Sequence, residues 1–142
     1  MRELLLIALF LSGCAAAPAN GPPEIRYGQD ECSRCRMIVD QPRFAAATRL
    51  GEEVRVLDDL GELFEPPGLR PGELAWVHDA ESQQWIDARS AYYVRCEGLK
   101  TPMGYRFLAT GSAPQAELLA ARYRGRILRF EQARAEIEGE SQ

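Results

Sequence analysis

Three sulfur side chains lie within the six residues Cys32-Ser33-Arg34-Cys35-Arg36-Met37, and this stretch constrains the chain more than any other. Sulfur donors at this density form a metal site, a redox couple or a disulfide. Cys35 and Met37 are two positions apart, so an extended or knuckle-shaped backbone would project both sulfurs to one side. A thiolate with a thioether is a soft donor set, and soft donors select Cu(I).

Zinc fits this stretch less well than Cu(I). Structural zinc is bound by cysteine, histidine and carboxylate rather than by methionine, and His78 is the only histidine. A lone histidine at the end of a predicted strand more often forms a structural hydrogen bond than binds a metal. Met103, in the turn-like sequence Thr101-Pro102-Met103-Gly104, is a second thioether that a loop could present at the mouth of a site. The alternative for Met37 and Met103 is packing in the core, which is the usual role of methionine.

Cys32 and Cys35 also form a Cys-x-x-Cys pair, which leaves a redox function open. No thioredoxin-like βαβ pattern precedes the pair, and Arg36 stands where a haem-attachment motif requires histidine. We expect the charges of Arg34 and Arg36 to favour the thiolate form of Cys35. Cys96 could pair with Cys32 and leave Cys35 free, or it could be a buried, inert thiol. The alternative to a metal carrier is therefore an exported thiol–disulfide oxidoreductase or metal–thiol enzyme that uses Cys32 and Cys35.

The amino end predicts export and lipidation. Residues 4–11 are apolar, and these eight residues are too few to span a bilayer, which takes about 20. They are followed by Ser12-Gly13-Cys14, which completes a lipobox, so we predict a lipoprotein signal peptide over residues 1–13 and a lipid on Cys14. Residues 15–23 are small and rich in proline, which predicts a flexible tether over residues 14–26, and residues 27–142 are predicted to form one domain. The net charge of −4 is mild and no block of like charge exceeds a few residues, so nothing in the sequence indicates binding to nucleic acid.

The rest of the sequence predicts an α+β fold with antiparallel hairpins. Strands over 44–50 and 54–56 flank a predicted two-residue turn at Gly51-Glu52. Asp59 is predicted to cap a short helix with Glu62 as its capping-box partner, so Asp58-Asp59 is interpreted as a helix cap rather than a catalytic pair. The remaining predicted elements are strands over 74–79, 84–87, 105–109 and 127–130, and helices over 112–124 and 131–138.

The order of the motifs resembles the NosL family of lipid-anchored copper chaperones, which supply nitrous oxide reductase. A lipobox and the Cys-x-x-Cys-x-Met element are followed by Trp-Ile-Asp-Ala-Arg-Ser-Ala-Tyr-Tyr-Val at residues 85–94. Thr101-Pro102-Met103-Gly104 comes next, and then a Gly-x-Ile-Leu-x-Phe stretch at residues 125–130. The resemblance covers residues 27–130.

The resemblance implies a domain of two ββα units that are similar to treble clefs. It implies a non-enzymatic carrier in which Cys35, Met37 and Met103 bind Cu(I). Further residues that could bind metal or, for the cysteines, form a disulfide are Cys32, Cys96 and His78.

The resemblance also implies a recipient and a location. The expected copper recipient is the apo-protein of nitrous oxide reductase, and the expected location is the cell envelope, with the lipid anchor holding the domain on the periplasmic side. In a cell with two membranes, the lack of aspartate after Cys14 favours the outer one. The chain departs from the family pattern at Arg36, where glycine is common.

Overall fold

Residues 19–142 form two antiparallel sheets and two α-helices in the computed structural model, so the predicted α+β fold class is confirmed. The predicted signal peptide and Cys14 lie outside the described residues. In chain order the elements are β1 (Ala46–Leu50), β2 (Glu53–Leu57), β3 (Leu74–His78), β4 (Trp85–Asp87), β5 (Tyr92–Arg95), β6 (Phe107–Thr110), α1 (Ala113–Tyr123), β7 (Arg126–Leu128) and α2 (Phe130–Glu140). Within this part of the chain, no helix combines the length and the apolar character needed to cross a membrane.

The first sheet has the strand order β2-β1-β3-β4. The predicted hairpin between β1 and β2 is confirmed: Leu50 pairs with Glu53, and Gly51 occupies the left-handed region at a φ of 58° in the turn between them. A four-residue 3-10 helix, Leu60–Leu63, follows β2 directly. Asp59 caps this helix in a capping box with Glu62, as the sequence predicts. The chain therefore turns sharply within a few residues of β2.

The second sheet has the order β6-β5-β7, and α1 follows β6, so that β5, β6 and α1 form a ββα unit. Ser112 caps α1 by accepting a hydrogen bond from the amide of Gln115. Of the boundaries that differ from the sequence prediction, two involve buried aromatic residues. Phe130 begins α2 instead of ending a strand, and Phe44 lies in a short 3-10 helix, Pro42–Phe44, instead of in β1. Both aromatic rings are buried in these positions, so core packing overrides the strand pattern.

Phe64 packs the segment after β2 against the second sheet and α2. Its ring lies edge-on to those of Tyr93, Phe107 and Phe130, at centroid distances of 5.0, 5.3 and 5.2 Å. Aromatic pairs prefer this geometry, and all four side chains are buried. Because Phe64 directly follows the helix Leu60–Leu63, this packing holds that helix against the second sheet. The position of the helix matters because the chemically distinctive side chains of the molecule gather around it.

Candidate metal centre

The sulfur-rich stretch folds into a tight knuckle. The amide of Cys32 donates to the carbonyl of Met37 at 2.7 Å, and the amide of Arg36 donates to the carbonyl of Cys32 at 3.1 Å. Closing the turn places Arg36 at a φ of 68°, in the left-handed region that favours glycine. This backbone conformation would suit glycine, the residue that the resemblance leads us to expect there. The amide of Ser33 donates to the carbonyl of Val56 at 2.7 Å, which attaches the knuckle to β2.

Two thiols and two carboxylates meet where the knuckle approaches the helix Leu60–Leu63. The thiol of Cys32 donates to Oε2 of Glu62 at 3.2 Å, and that of Cys35 donates to Oδ1 of Asp58 at 3.2 Å. One potential ligand atom from each of the four residues lies within 4.8 Å of the other three. Cys32 is fully buried whereas Cys35 is half-buried, so the cluster is reached from solvent on the Cys35 side. The arrangement could hold a metal ion.

The thiols of the cluster are held in their protonated form. Burial raises the pKa of Cys32, and hydrogen bonds from backbone amides, including those of Arg34 and Cys35, offset this only in part. Burial also raises the pKa of Cys35 strongly; the amide of Met37 acts in the opposite direction, and the hydrogen bond to Asp58 raises the pKa further. Without a metal ion or another cation, neither cysteine is a ready thiolate.

The expectation that Arg34 and Arg36 favour the thiolate of Cys35 is wrong. Arg34 forms an ion pair with Glu65, and Arg36 forms one with Glu31 at 2.6 Å. Both guanidinium groups are therefore neutralised by carboxylates, and burial sets the pKa of the thiol instead.

The carboxylates of the cluster have no cationic partner within residues 19–142. Asp58 and Glu62 are 2% and 4% exposed, and neither forms an ion pair with a described residue. Burial raises the pKa of Glu62 to about 7, and the neighbouring Asp58 also acts to raise it. A buried carboxylate is stable when it is paired, protonated or bound to a metal. This side of the molecule therefore has more buried acidic groups than its own cations can neutralise.

Both predicted thioether donors lie at the surface. Met37 is 41% exposed and Met103 is 43% exposed, so the alternative of core packing is wrong for both. Met37 lies two positions after Cys35 in the knuckle, and its backbone acts to lower the pKa of the Cys35 thiol. Met103 approaches from the other sheet, where the loop between β5 and β6 brings its amide within 2.9 Å of Oδ2 of Asp59. The knuckle and this loop thus contact adjacent residues of the segment that follows β2.

His78 and Cys96 lie away from this cluster. Both ring nitrogens of His78 are occupied, with Nδ1 2.7 Å from the carbonyl oxygen of Gln83 and Nε2 2.7 Å from the hydroxyl of Tyr27. Its ring also stacks on that of Trp85, with a distance of 3.7 Å between ring centroids. His78 therefore has the structural hydrogen-bonding role that is usual for a lone histidine. Cys96 is buried in a separate apolar cluster against α1. Cys32, Cys35 and Cys96 are free thiols, so the disulfide left open between Cys32 and Cys96 is not formed.

Sequence reasoning missed the two carboxylates that face the thiols. It predicted the capping box correctly, but the Oε2 atom of Glu62 that accepts the amide of Asp59 also accepts the thiol of Cys32. The available signal was the position of Asp58 and Glu62 around a short helix immediately after a strand. No local pattern shows that the sulfur-rich knuckle folds onto the same strand.

Comparisons with known proteins agree with this architecture. The sequence model of the NosL family matches residues 25–137. The copper-binding lipoprotein NosL of Stutzerimonas stutzeri is 30% identical over 144 aligned positions, which cover 90% of this chain and 76% of that protein. The crystal structure of the copper chaperone NosL from Shewanella denitrificans has a TM-score of 0.65 at 20% sequence identity, covering 81% of this chain and 96% of that one. At that identity the likeness shows a shared fold.

Proposed function

The chain belongs to the NosL family, and we propose that it is a non-enzymatic Cu(I) carrier that delivers copper to nitrous oxide reductase during maturation of that enzyme. The proposed ligands are the thiolate of Cys35 and the thioethers of Met37 and Met103. One observation carries the proposal: both methionines are exposed, Met37 lies two positions from the half-buried Cys35, and the loop of Met103 contacts Asp59, the neighbour of the Asp58 that accepts the Cys35 thiol.

Methionine usually packs in the core, whereas Met37 and Met103 are both more than two-fifths exposed. Thiolate and thioether sulfur together suit Cu(I), whereas structural zinc is held by cysteine, histidine and carboxylate. Three protein donors leave room for an incoming ligand, so the donors of a recipient can enter before those of the carrier leave.

The proposal includes an anchor. Residues 1–13 act as the signal peptide, the lipid is carried on Cys14, and residues 14–26 tether the domain to a membrane of the cell envelope, on the periplasmic side and at the outer membrane where there is one. The name of the Stutzerimonas relative, a lipoprotein, supports this arrangement. Replacing Cys14 with serine should release the protein from membranes or block its processing. A mature wild-type protein that lacks a lipid mass increment and does not begin at Cys14 would contradict the anchor.

The decisive experiment is a Cu(I) competition titration of the reduced mature protein against a chromophoric chelator. We expect one copper ion per chain and the largest loss of affinity in Cys35→Ser, which removes the anionic donor. Met37→Leu and Met103→Leu approximately keep side-chain volume, so they should weaken Cu(I) binding with little change in the melting temperature. Cys96→Ala is the matched control for loss of a thiol, because Cys96 is buried elsewhere.

Two outcomes of the titration would contradict the ligand set. Unchanged Cu(I) affinity in both methionine variants would remove the thioethers from the site. Loss of Cu(I) binding in His78→Ala, with unchanged folding, would indicate a cysteine–histidine site instead. Delivery is tested by mixing the Cu(I)-loaded protein with apo-nitrous oxide reductase. Copper transfer that is no faster than from a small Cu(I)–thiol complex would contradict the proposed recipient.

The redox alternative is less well supported than the Cu(I) carrier. Redox-active cysteine pairs have a thiol of lowered pKa, whereas burial raises the pKa of both Cys32 and Cys35. We expect no turnover in an insulin-reduction assay. Turnover that Cys35→Ser abolishes and Met103→Leu leaves intact would favour a thiol–disulfide oxidoreductase.

A further inference from the structure

Asp59 connects the segment after β2 to the loop that carries Met103. It is fully buried, and its Oδ1 accepts the amide of Gly61 at 3.1 Å. Its Oδ2 accepts the hydroxyl of Thr101 at 2.6 Å and the amide of Met103 at 2.9 Å. We infer that Asp59 is a positioning residue that holds the thioether of Met103 where it can bind the metal. This inference rests on the proposed Cu(I)-binding function.

Helix capping alone does not explain why a buried aspartate occupies position 59. A helix cap needs one acceptor oxygen, which Oδ1 supplies, and a hydroxyl or amide side chain would serve as well. Burying a carboxylate costs free energy unless its oxygens are fully hydrogen-bonded. The second oxygen, Oδ2, is used for contacts with Thr101 and Met103, which lie 42 and 44 positions further along the chain. The carboxylate therefore stabilises a long-range contact in addition to the local cap.

The side chain of Met103 does not fix its own position. It is 43% exposed, so core packing does not restrain the thioether. Its location depends on the backbone of the turn from Thr101 to Gly104, which is closed by a hydrogen bond of 3.2 Å between those two residues. The hydroxyl of Thr101 donates to Asp59 and also accepts the amide of Arg106 at 3.1 Å. Asp59 consequently holds the turn at its start and, through the amide of Met103, near its tip.

A second contact places the loop on the same short helix. A Cβ atom at Gly61 would lie 2.0 Å from Cγ of Tyr105, so only glycine permits the ring to approach. Gly61 is one residue before Glu62, whose carboxylate accepts the thiol of Cys32. The loop with Met103 and the knuckle with the cysteines are thus built onto one four-residue helix and its cap.

The test is a double-mutant cycle on the reduced mature protein, read as Cu(I) affinity. We expect Asp59→Asn to weaken Cu(I) binding about tenfold, the range found when residues that orient a ligand are changed. In the Met103→Leu background, Asp59→Asn should have no further effect on affinity, because the thioether it positions is gone. Cu K-edge X-ray absorption of Asp59→Asn should show one sulfur ligand fewer than wild type.

Asp79 supplies the matched control. Its Oδ1 accepts the amides of Glu81 and Ser82, and its Oδ2 accepts the hydroxyl of Thr110 at 2.7 Å, so it is also an aspartate that caps a turn and reaches a distant threonine. Asp79→Asn should lower the melting temperature and leave Cu(I) affinity unchanged.

Thr101→Val tests the inference without altering the cap of the helix. It removes the hydroxyl and nearly keeps the shape, so it should also weaken Cu(I) binding, whereas Thr101→Ser should restore it. If Asp59→Asn fails to fold, this pair of variants decides the question.

The inference is overturned if the effects of Asp59→Asn and Met103→Leu on affinity add in the double variant, because Asp59 would then act through the fold. It is also overturned if Asp59→Asn and Thr101→Val both leave affinity unchanged while Met103→Leu weakens it; the proposed function would survive that result. Unchanged affinity in Met103→Leu alone would instead remove Met103 from the proposed site, and the inference would fall with it.

Discussion

Glu73 and Glu62 are both buried glutamates close to the first sheet, but their surroundings are opposite. Glu73 accepts a hydrogen bond from Arg55 at 2.6 Å and from the side chain of Arg70 at 3.2 Å. Burial alone would raise the pKa of Glu73, but these hydrogen bonds outweigh it and lower the pKa to about 2. Glu62 faces the thiol of Cys32 instead, and burial raises its pKa to about 7.

The difference separates a structural carboxylate from one in a candidate metal site. Around Glu73 the protein supplies two guanidinium groups, so the buried charge is already neutralised. Around Glu62 and Asp58, residues 19–142 supply no ion-pair partner, and the groups in contact are thiols. The missing positive charge is one that a bound metal ion would provide. Buried acidic groups alone therefore do not mark the site; their lack of cationic partners does.

The largest effect that we expect from this comparison is on stability in Glu73→Gln. The substitution removes the charge that two arginines share, and hydrogen bonds to charged groups contribute about 1.5–3 kcal/mol each. Because Arg55 and Arg70 are 30% and 39% exposed and can be rehydrated, we expect a net loss of about 2–3 kcal/mol in urea unfolding. Glu53→Gln is the control, since it removes the exposed partner of Arg70 and should lower stability much less than Glu73→Gln. Equal losses in the two variants would contradict a special role for Glu73.

Lowering the pH should cause part of the same loss of stability in the wild-type protein. The pKa of Glu73 is about 2 in the folded state against 4.5 for the free side chain, so the unfolded state takes up the proton first as pH falls. Stability from this group is therefore complete above pH 4.5 and decreases as the pH falls toward 2. Linkage gives a loss of about 2 kcal/mol between pH 5 and pH 3. The measurement is urea unfolding at both pH values, and Glu73→Gln should lose correspondingly less between them.

The sequence predicts contacts between residues that are close along the chain better than contacts between residues that are far apart. The hairpin at Gly51 and the cap at Asp59 follow from residues within a few positions of each other, and both are confirmed. The contacts of the cluster join Cys35 to Asp58 and Cys32 to Glu62, at separations of 23 and 30 positions. Periodicity and capping rules do not determine such pairings, because tertiary packing sets them.

A smaller effect on stability is expected when Arg36 is replaced by glycine. This change relieves backbone strain in the knuckle and leaves the charges of the cluster unaltered. A residue other than glycine in the left-handed region costs about 1–2 kcal/mol. Arg36 has a φ of 68° there, and its ion pair with Glu31 is exposed and contributes little. We expect Arg36→Gly to stabilise the metal-free protein by about 1 kcal/mol in thermal or urea unfolding.

Arg124→Gly is the positive control for Arg36→Gly, because Arg124 has a φ of 50° at the end of α1, away from the cluster. A gain in the control without a gain in Arg36→Gly would show that other contacts of the arginine offset the strain at the knuckle.

The smallest effect should come from Glu62→Gln, the direct counterpart of Glu73→Gln. Glutamine keeps an oxygen that can accept the amide of Asp59 and the thiol of Cys32, so the cap and the thiol contact can both persist. No arginine loses a partner, because no ion pair to Glu62 exists among the described residues. We therefore expect a change in unfolding free energy of less than about 1 kcal/mol at pH 5, where the raised pKa keeps Glu62 protonated in the folded state, measured with reductant and a metal chelator present. A loss as large as that of Glu73→Gln would mean that the protein already compensates the charge of Glu62, and the distinction between the two glutamates would no longer identify the metal site.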